Sequence, residues 1–193
     1  MTLDLIKKLR DLTGVSIADI KRALEDANGD EQKAKELLRV RGSVKAEKRA
    51  SKETKAGVVS SYVHSNNKIG VLVELLCETD FVARSDKFQE LGHEIALQIA
   101  SMNPEFLSSE NIPQEIIEHK KEIYREELEK SGKSGQVVEQ IIEGRFKKHC
   151  EETCLLDQRY VKDQDITIRE FVNQYISQLG ENIKVGRFVR FEI

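Results

Sequence analysis

The sequence predicts an α+β fold, with an N-terminal three-helix bundle followed by a core domain in which a three-stranded antiparallel sheet packs with helices. Three features of the 193-residue chain carry that expectation. Residues 1–42 hold three short amphipathic periods, separated by glycines. After Gly57 the hydrophobic period changes from helical to two, and a second alternating stretch closes the chain over residues 183–193.

In the first helix Thr2 is the expected cap, Leu5, Leu9 and Leu12 share a face, and Gly14 marks the exit. Ser16 with Asp19 three residues on opens the second helix, which aligns Ile17, Ile20, Leu24 and Ala27 before Asn28-Gly29. Asp30 caps a third helix that carries Ala34, Leu37 and Leu38, and Gly42 reads as its stop. Residues 43–56 are basic and poor in large apolar side chains, the pattern of a linker that is partly helical.

The core domain then spans residues 57–193. Val58 to His64, a polar Ser65-Asn66-Asn67-Lys68 turn and Ile69 to Cys77 read as a β-hairpin, with Ile69, Val71, Val73, Leu75 and Cys77 on one buried face. A helix from about Ser85 carries Phe88, Leu91, Ile95 and Ile99 and ends at Met102-Asn103-Pro104. Two strongly charged helical segments form a pair at about residues 114–149, interrupted at residues 132–135. A capping box at Thr167-Ile168-Arg169-Glu170 starts a last helix, and Gly180 ends it before the closing strand.

Composition excludes several classes of function. Charged residues make up 34% of the chain and the net charge is −3, so the surface is mixed in sign and no strong polyanion affinity is expected. No apolar run approaches the roughly 18 residues of a membrane span, and the first eight residues lack the pattern of a secretory signal. A cytoplasmic protein with no membrane partner is expected. The odd set Cys77, Cys150 and Cys154 fits a reducing compartment.

Enzyme and cofactor chemistry finds no support. Gly132-Lys133-Ser134 ends like a phosphate-binding loop but has Glu127 where that motif needs its first glycine. His149, Cys150 and Cys154 lack the paired spacing and the fourth ligand of a structural zinc site. His64, His93 and His119 are scattered, with no nucleophile or orienting partner. No catalytic residue, metal or cofactor is expected. Residues Lys45, Lys48, Arg49, Lys52 and Lys55 could follow phosphates, but acids interrupt them and no aromatics interleave, so no specific nucleic acid is expected.

The segment Cys77-Glu78-Thr79-Asp80-Phe81-Val82-Ala83-Arg84 stands apart. It sets a large aromatic beside an acid where a buried strand ends. Two readings are open: Phe81 and Val82 turn inward and lead the chain into the next helix, or the strand end presents Phe81 outward as an apolar knob for a partner.

These residues resemble the elongation factor Ts family. The resemblance covers nearly the whole chain: Leu9-Arg10-Asp11-Leu12-Thr13-Gly14, Asp19 to Leu24 and Ala27-Asn28-Gly29-Asp30 in the bundle, then Gly70 to Glu74 leading into Thr79-Asp80-Phe81-Val82-Ala83. Glu143-Gly144-Arg145, Lys147-Lys148 and Val189-Arg190-Phe191-Glu192 match further on. Where many members read Gly-Met-Met after Thr-Gly-Ala, this chain has Val15-Ser16-Ile17-Ala18. The resemblance implies a ubiquitin-associated-like module at residues 1–42 and a guanine nucleotide exchange factor, not an enzyme. Its implied partner is elongation factor Tu, GDP-bound and nucleotide-free. It further implies contacts from Thr79, Asp80, Phe81 and Val82, with Phe81 as the wedge, and from His64, Leu12, Asp19 and Lys21. For His64, a polar strand residue next to the turn is an equally good reading; for Leu12, Asp19 and Lys21 the other reading is packing and helix capping. A single core copy matches the family's short bacterial form and implies a homodimer. An adaptor that binds through the helical module without altering nucleotide affinity is the alternative function.

Overall fold

The computed structural model describes residues 3–130 and 136–193, so the expected cap at Thr2 and the interruption at 132–135 lie outside the described residues. The elements run α1 (Leu3–Thr13), α2 (Ile17–Asp26), α3 (Glu31–Arg49), β1 (Ala56–Val63), β2 (Ile69–Cys77), α4 (Asp80–Ala83) and α5 (Asp86–Met102). They continue with α6 (Gln114–Lys130), α7 (Gln136–Thr153), β3 (Arg159–Tyr160), β4 (Asp163–Thr167), α8 (Ile168–Leu179) and β5 (Ile183–Glu192). The chain separates into two compact units, one made of residues up to Leu97 with Arg169–Ile193, the other of Gln98–Ile168.

In the first unit α1 to α3 enclose a small core of Ile6, Leu9, Ile20, Ala23, Leu24, Ala34 and Leu38. The α1 stripe is rotated from the expected one: Leu5, Ile6 and Leu9 face inward, and Leu12 is 57% exposed. Gly14 leaves α1 with φ 62°, a left-handed conformation that favours glycine. The Ser16 hydroxyl accepts the Asp19 N–H (3.2 Å) and donates to the Asp19 carboxylate (2.9 Å), and the Asp30 carboxylate accepts the Lys33 N–H (3.0 Å).

Helix α3 does not stop at Gly42. It continues to Arg49 with Gly42 and Ala46 both buried, and Asn173 of α8 donates to the Ser43 hydroxyl (3.5 Å) beside it. Arg39 pairs with Glu170 of α8 (2.5 Å), and Gln178 of α8 donates to the Thr13 carbonyl (2.6 Å). The first seven residues of the expected linker are thus part of a helix that lies against the core.

The sheet has the order β1-β2-β5, antiparallel throughout. Val71, Val73, Leu75 and Cys77 of the central strand are buried, as the alternation predicts. Helix α5 covers that face with Phe88, Leu91 and Ile95 fully buried. Gly92 permits the close approach, since a Cβ there would fall on the Ser60 hydroxyl and lie 3.8 Å from Leu75.

In the second unit α6 and α7 pack through Leu128, Val138 and Ile142 with Tyr124 and Ile141. Ion pairs Arg125–Glu139 (3.0 Å), Arg145–Glu127 (2.8 Å) and Lys121–Glu143 lace the pair together. Ile112, Cys150 and Cys154 form a second cluster with Phe106, Ile117 and Phe146. The β3-β4 hairpin was not expected: β3 has two residues and β4 reads Asp-Gln-Asp-Ile-Thr, too short and polar to alternate. Buried Gln98 holds it, donating to the Arg159 carbonyl (3.0 Å) and accepting the Val161 N–H (2.9 Å).

Leu75→Ala empties the centre of the sheet core and is expected to destabilise the protein by about 2–5 kcal/mol. A melting point lower by roughly 10 °C is the readout. The Asp19 carboxyl is held below its ordinary value of 3.8, first by the hydrogen-bonded Lys45 ammonium (3.0 Å) and then, against the effect of burial, by Ser16. A depressed carboxylate stabilises fully above pH 3.8 and loses that contribution as the pH falls through its folded value. Lys45→Met is therefore expected to lose about 0.5 kcal/mol at pH 7. That loss, followed by urea unfolding, should shrink towards zero near pH 3.

Candidate partner-binding site

The motif begins where β2 ends. Cys77 pairs with Ala56 on one side and Ile183 on the other, so the backbone is fixed up to the last strand residue. Thr79, extended at φ −132° and ψ 152°, caps a single helical turn, its hydroxyl accepting the Val82 N–H (3.4 Å). The Ala83 N–H donates to the Thr79 carbonyl (3.1 Å) and the Arg84 N–H to the Asp80 carbonyl (3.2 Å). Gln89 of α5 donates to the Ala83 carbonyl (2.8 Å), and the Ser85 hydroxyl to that of Val82 (2.8 Å).

This turn resolves the two sequence readings by dividing them. Successive residues on a helix point about 100° apart. Val82 (6% exposed) and Ala83 (3%) face the core, and Phe81 is 87% exposed beside exposed Asp80. Burying a phenylalanine stabilises by about 1.5–3 kcal/mol. That free energy is unused in the isolated chain.

Two carboxylates brace the turn from beneath. Glu181 accepts the Glu78 N–H (3.1 Å), the Thr79 N–H (3.0 Å) and the Thr79 hydroxyl (2.6 Å). Glu78 accepts the Asn182 N–H (2.6 Å) and the Arg49 guanidinium (3.0 Å). Its carboxyl lies below the ordinary value of 4.5, first through the Asn182 N–H and then through Arg49, opposed by burial. Sequence reasoning missed these roles of Glu181, Asn182 and Arg49, because partners 29 to 104 residues away leave no local pattern.

The other predicted residues lie elsewhere. His64 follows β1 at the hairpin turn, exposed, its Nδ1 3.0 Å from the Tyr62 hydroxyl. The nine-residue β2 separates that turn from the motif by roughly 25 Å at about 3.3 Å per residue. Leu12 and Lys21 are exposed on α1 and α2. Asp19 is half-buried, occupied by its cap and by Lys45 of α3, one turn before the Arg49 that reaches Glu78. Thr79, Asp80 and Phe81 are therefore exposed together on one turn. Val82, expected as a contact, is buried beneath them because successive helical residues diverge, and α3 connects this turn to the neighbourhood of Asp19.

Cys77, Cys150 and Cys154 are free and buried, and burial pushes the Cys154 thiol up to about 12. Among the described residues no group of three or more His, Cys, Asp or Glu side chains is placed to hold a metal ion, and no helix is long and apolar enough to cross a membrane.

Comparison with known proteins bears on the same segments. The family model described as Elongation factor TS matches residues 5–193. A protein named elongation factor Ts from Thermosipho melanesiensis is 53% identical over 189 residues, covering 98% of this chain and 96% of the relative. The Fervidobacterium nodosum protein of that name is 51% identical over 193 residues, covering 100% of this chain and 98% of its own length. That of Thermotoga maritima is 48% identical over 193 residues, covering 100% and 96%. With the match running from the N-terminal helices through the Thr79–Ala83 turn to the closing strand, the chain belongs to the elongation factor Ts family.

Proposed function

We propose that this chain is the guanine nucleotide exchange factor for elongation factor Tu, binding the GDP complex and promoting GDP release, and that it performs no covalent chemistry. The observation that carries the reading is Phe81, 87% exposed on a turn whose base is bonded to Glu181 and capped by Thr79. An aromatic held rigidly outward beside a carboxylate has the make-up of a binding hot spot.

Exchange is a linkage effect. A factor that binds the nucleotide-free GTPase more tightly than its GDP complex must weaken GDP by the same ratio, with each tenfold worth about 1.4 kcal/mol. Burial of Phe81 in the nucleotide-free partner supplies such a differential, because the ring gains contact only where helices of the partner have parted. Asp80, exposed beside the ring, would supply a carboxylate to compete for groups that order the phosphates and their metal ion. Exposed Leu12 and Lys21 serve as secondary contacts on the helical module, and exposed His64 as a separate contact at the far end of the hairpin. Asp19 acts through its place in the α2 cap. A translational GTPase as partner places the chain in the cytoplasm.

The basic segment after Gly42 supports a protein partner over nucleic acid, since Lys45, Arg49 and Lys55 are ion-paired with Asp19, Glu78 and Glu53. A homodimer belongs to the same reading. On the sheet face away from α5, Val59 (65% exposed), Leu72 (47%), Val189 (40%) and Phe191 (66%) are exposed side by side, with Leu72 paired to Val189 across the strands. A contiguous apolar face of this kind suits an isologous contact with a second copy.

Joint substitution Asp80→Ala and Phe81→Ala is expected to lower stimulated release of fluorescent GDP from elongation factor Tu by about a hundredfold, the scale of a lost hot spot. Unchanged stimulation would remove the site assignment, and no stimulation by the parent would leave an adaptor role. Light scattering should give twice the chain mass for the parent, and Leu72→Glu with Val189→Glu should give the monomer with its melting transition intact. A parent that is monomeric at micromolar concentration would rule out the second copy.

A further inference from the structure

A four-residue helical turn has no stability of its own, because forming one turn fixes three residues for a single hydrogen bond. The direction in which Phe81 points must therefore be set from outside the turn. Three donors at its base, the N–H groups of Glu78 and Thr79 and the Thr79 hydroxyl, all go to the carboxylate of Glu181. The next residue returns the bond: the Asn182 N–H donates to the Glu78 carboxylate at 2.6 Å. Asn182 is 2% exposed, and its side-chain amide donates to the carbonyls of Lys52 (2.7 Å) and Ala50 (3.4 Å), just past the end of α3.

We propose that Glu181 is a positioning residue for the Phe81 wedge, and that with Glu78 and Asn182 it locks the wedge to the end of α3, so both meet the partner GTPase as one preorganised element. This rests on the reading of Phe81 as a contact with elongation factor Tu. Glu181 acts through Thr79 and not by touching the partner. A wedge that wandered would have to be ordered at each encounter, and fixing it in advance removes that entropy from binding. One side chain whose two oxygens collect three donors is suited to the task, because its reach fixes all three at once.

Two substitutions in the full chain separate shape from charge. Glu181→Asp keeps the charge and withdraws the oxygens by one methylene. Glu181→Gln keeps the reach, its carbonyl taking the two backbone N–H groups while its amide donates to the Thr79 hydroxyl oxygen. With elongation factor Tu loaded with fluorescent GDP, Glu181→Asp should raise the concentration for half-maximal release about tenfold, and Glu181→Gln should stay within about twofold of the parent. Both should melt within about 3 °C of the parent. Hydrogen exchange of the free chain supplies a readout that needs no partner: the Thr79 and Val82 amides should exchange faster in Glu181→Asp and as in the parent in Glu181→Gln.

A Glu181→Asp chain that matches the parent in both measurements overturns the proposal. So does a Glu181→Gln chain as weak in release as Glu181→Asp, which would make the charge itself the contact. If the parent does not stimulate release, the exchange-factor reading fails, and the amide exchange alone decides whether Glu181 holds the turn.

Discussion

Everything near Phe81 depends on β2 being the central strand of the sheet. Because both of its edges are paired, the start of β1 and the start of β5 must both lie beside its last residue, Cys77. Three chain segments that are distant in sequence therefore converge at that end: the stretch leaving α3, the motif itself, and the Glu181-Asn182 corner that follows α8. Antiparallel pairing performs the assembly, and the carboxylates only fasten what it has brought together.

The energetics divide across the turn. Val82 and Ala83 secure it to the core, and Phe81 forgoes the free energy of burial within its own chain. A single exposed ring flanked by Asp80 and Arg84 is too small an apolar patch to drive aggregation. What distinguishes it from an ordinary surface phenylalanine is the bracing on either side, by Glu181 at the Glu78 and Thr79 N–H groups and by Gln89 and Ser85 at the Ala83 and Val82 carbonyls.

Much of the fold was legible because its signals are local. The Ser16 and Asp30 caps, the period-two hairpin from Val58 to Cys77 and the closing strand depend on residues within a few positions of each other. The misreadings share a cause in tertiary context. Gly42 reads as a helix stop in the sequence, yet the helix runs through it and is held from outside by Arg39–Glu170 and Arg49–Glu78. Leu12 was placed on the buried stripe, and Ile6 holds that place. The β3-β4 hairpin has too little sequence to alternate and is held by Gln98 from outside. At the site, residues 79–82 stand out in the sequence, but the opposite fates of Phe81 and Val82 follow from a one-turn helix whose hydroxyl cap was not recognised. The braces Glu181, Asn182 and Arg49 could be found only by folding the chain.

The unbroken course of α3 has an evolutionary corollary. Its 19 residues form a rod of roughly 28 Å at about 1.5 Å per residue. Arg39, Ser43 and Arg49 engage Glu170, Asn173 and Glu78 along its length. Inserting one residue would swing everything beyond it through about 100° and detach whichever contacts lie on the far side. Lineages descending from such a chain should keep this stretch free of insertions and deletions, even as the charged residues on its solvent side drift: α3 is a ruler, and its gradations are inherited.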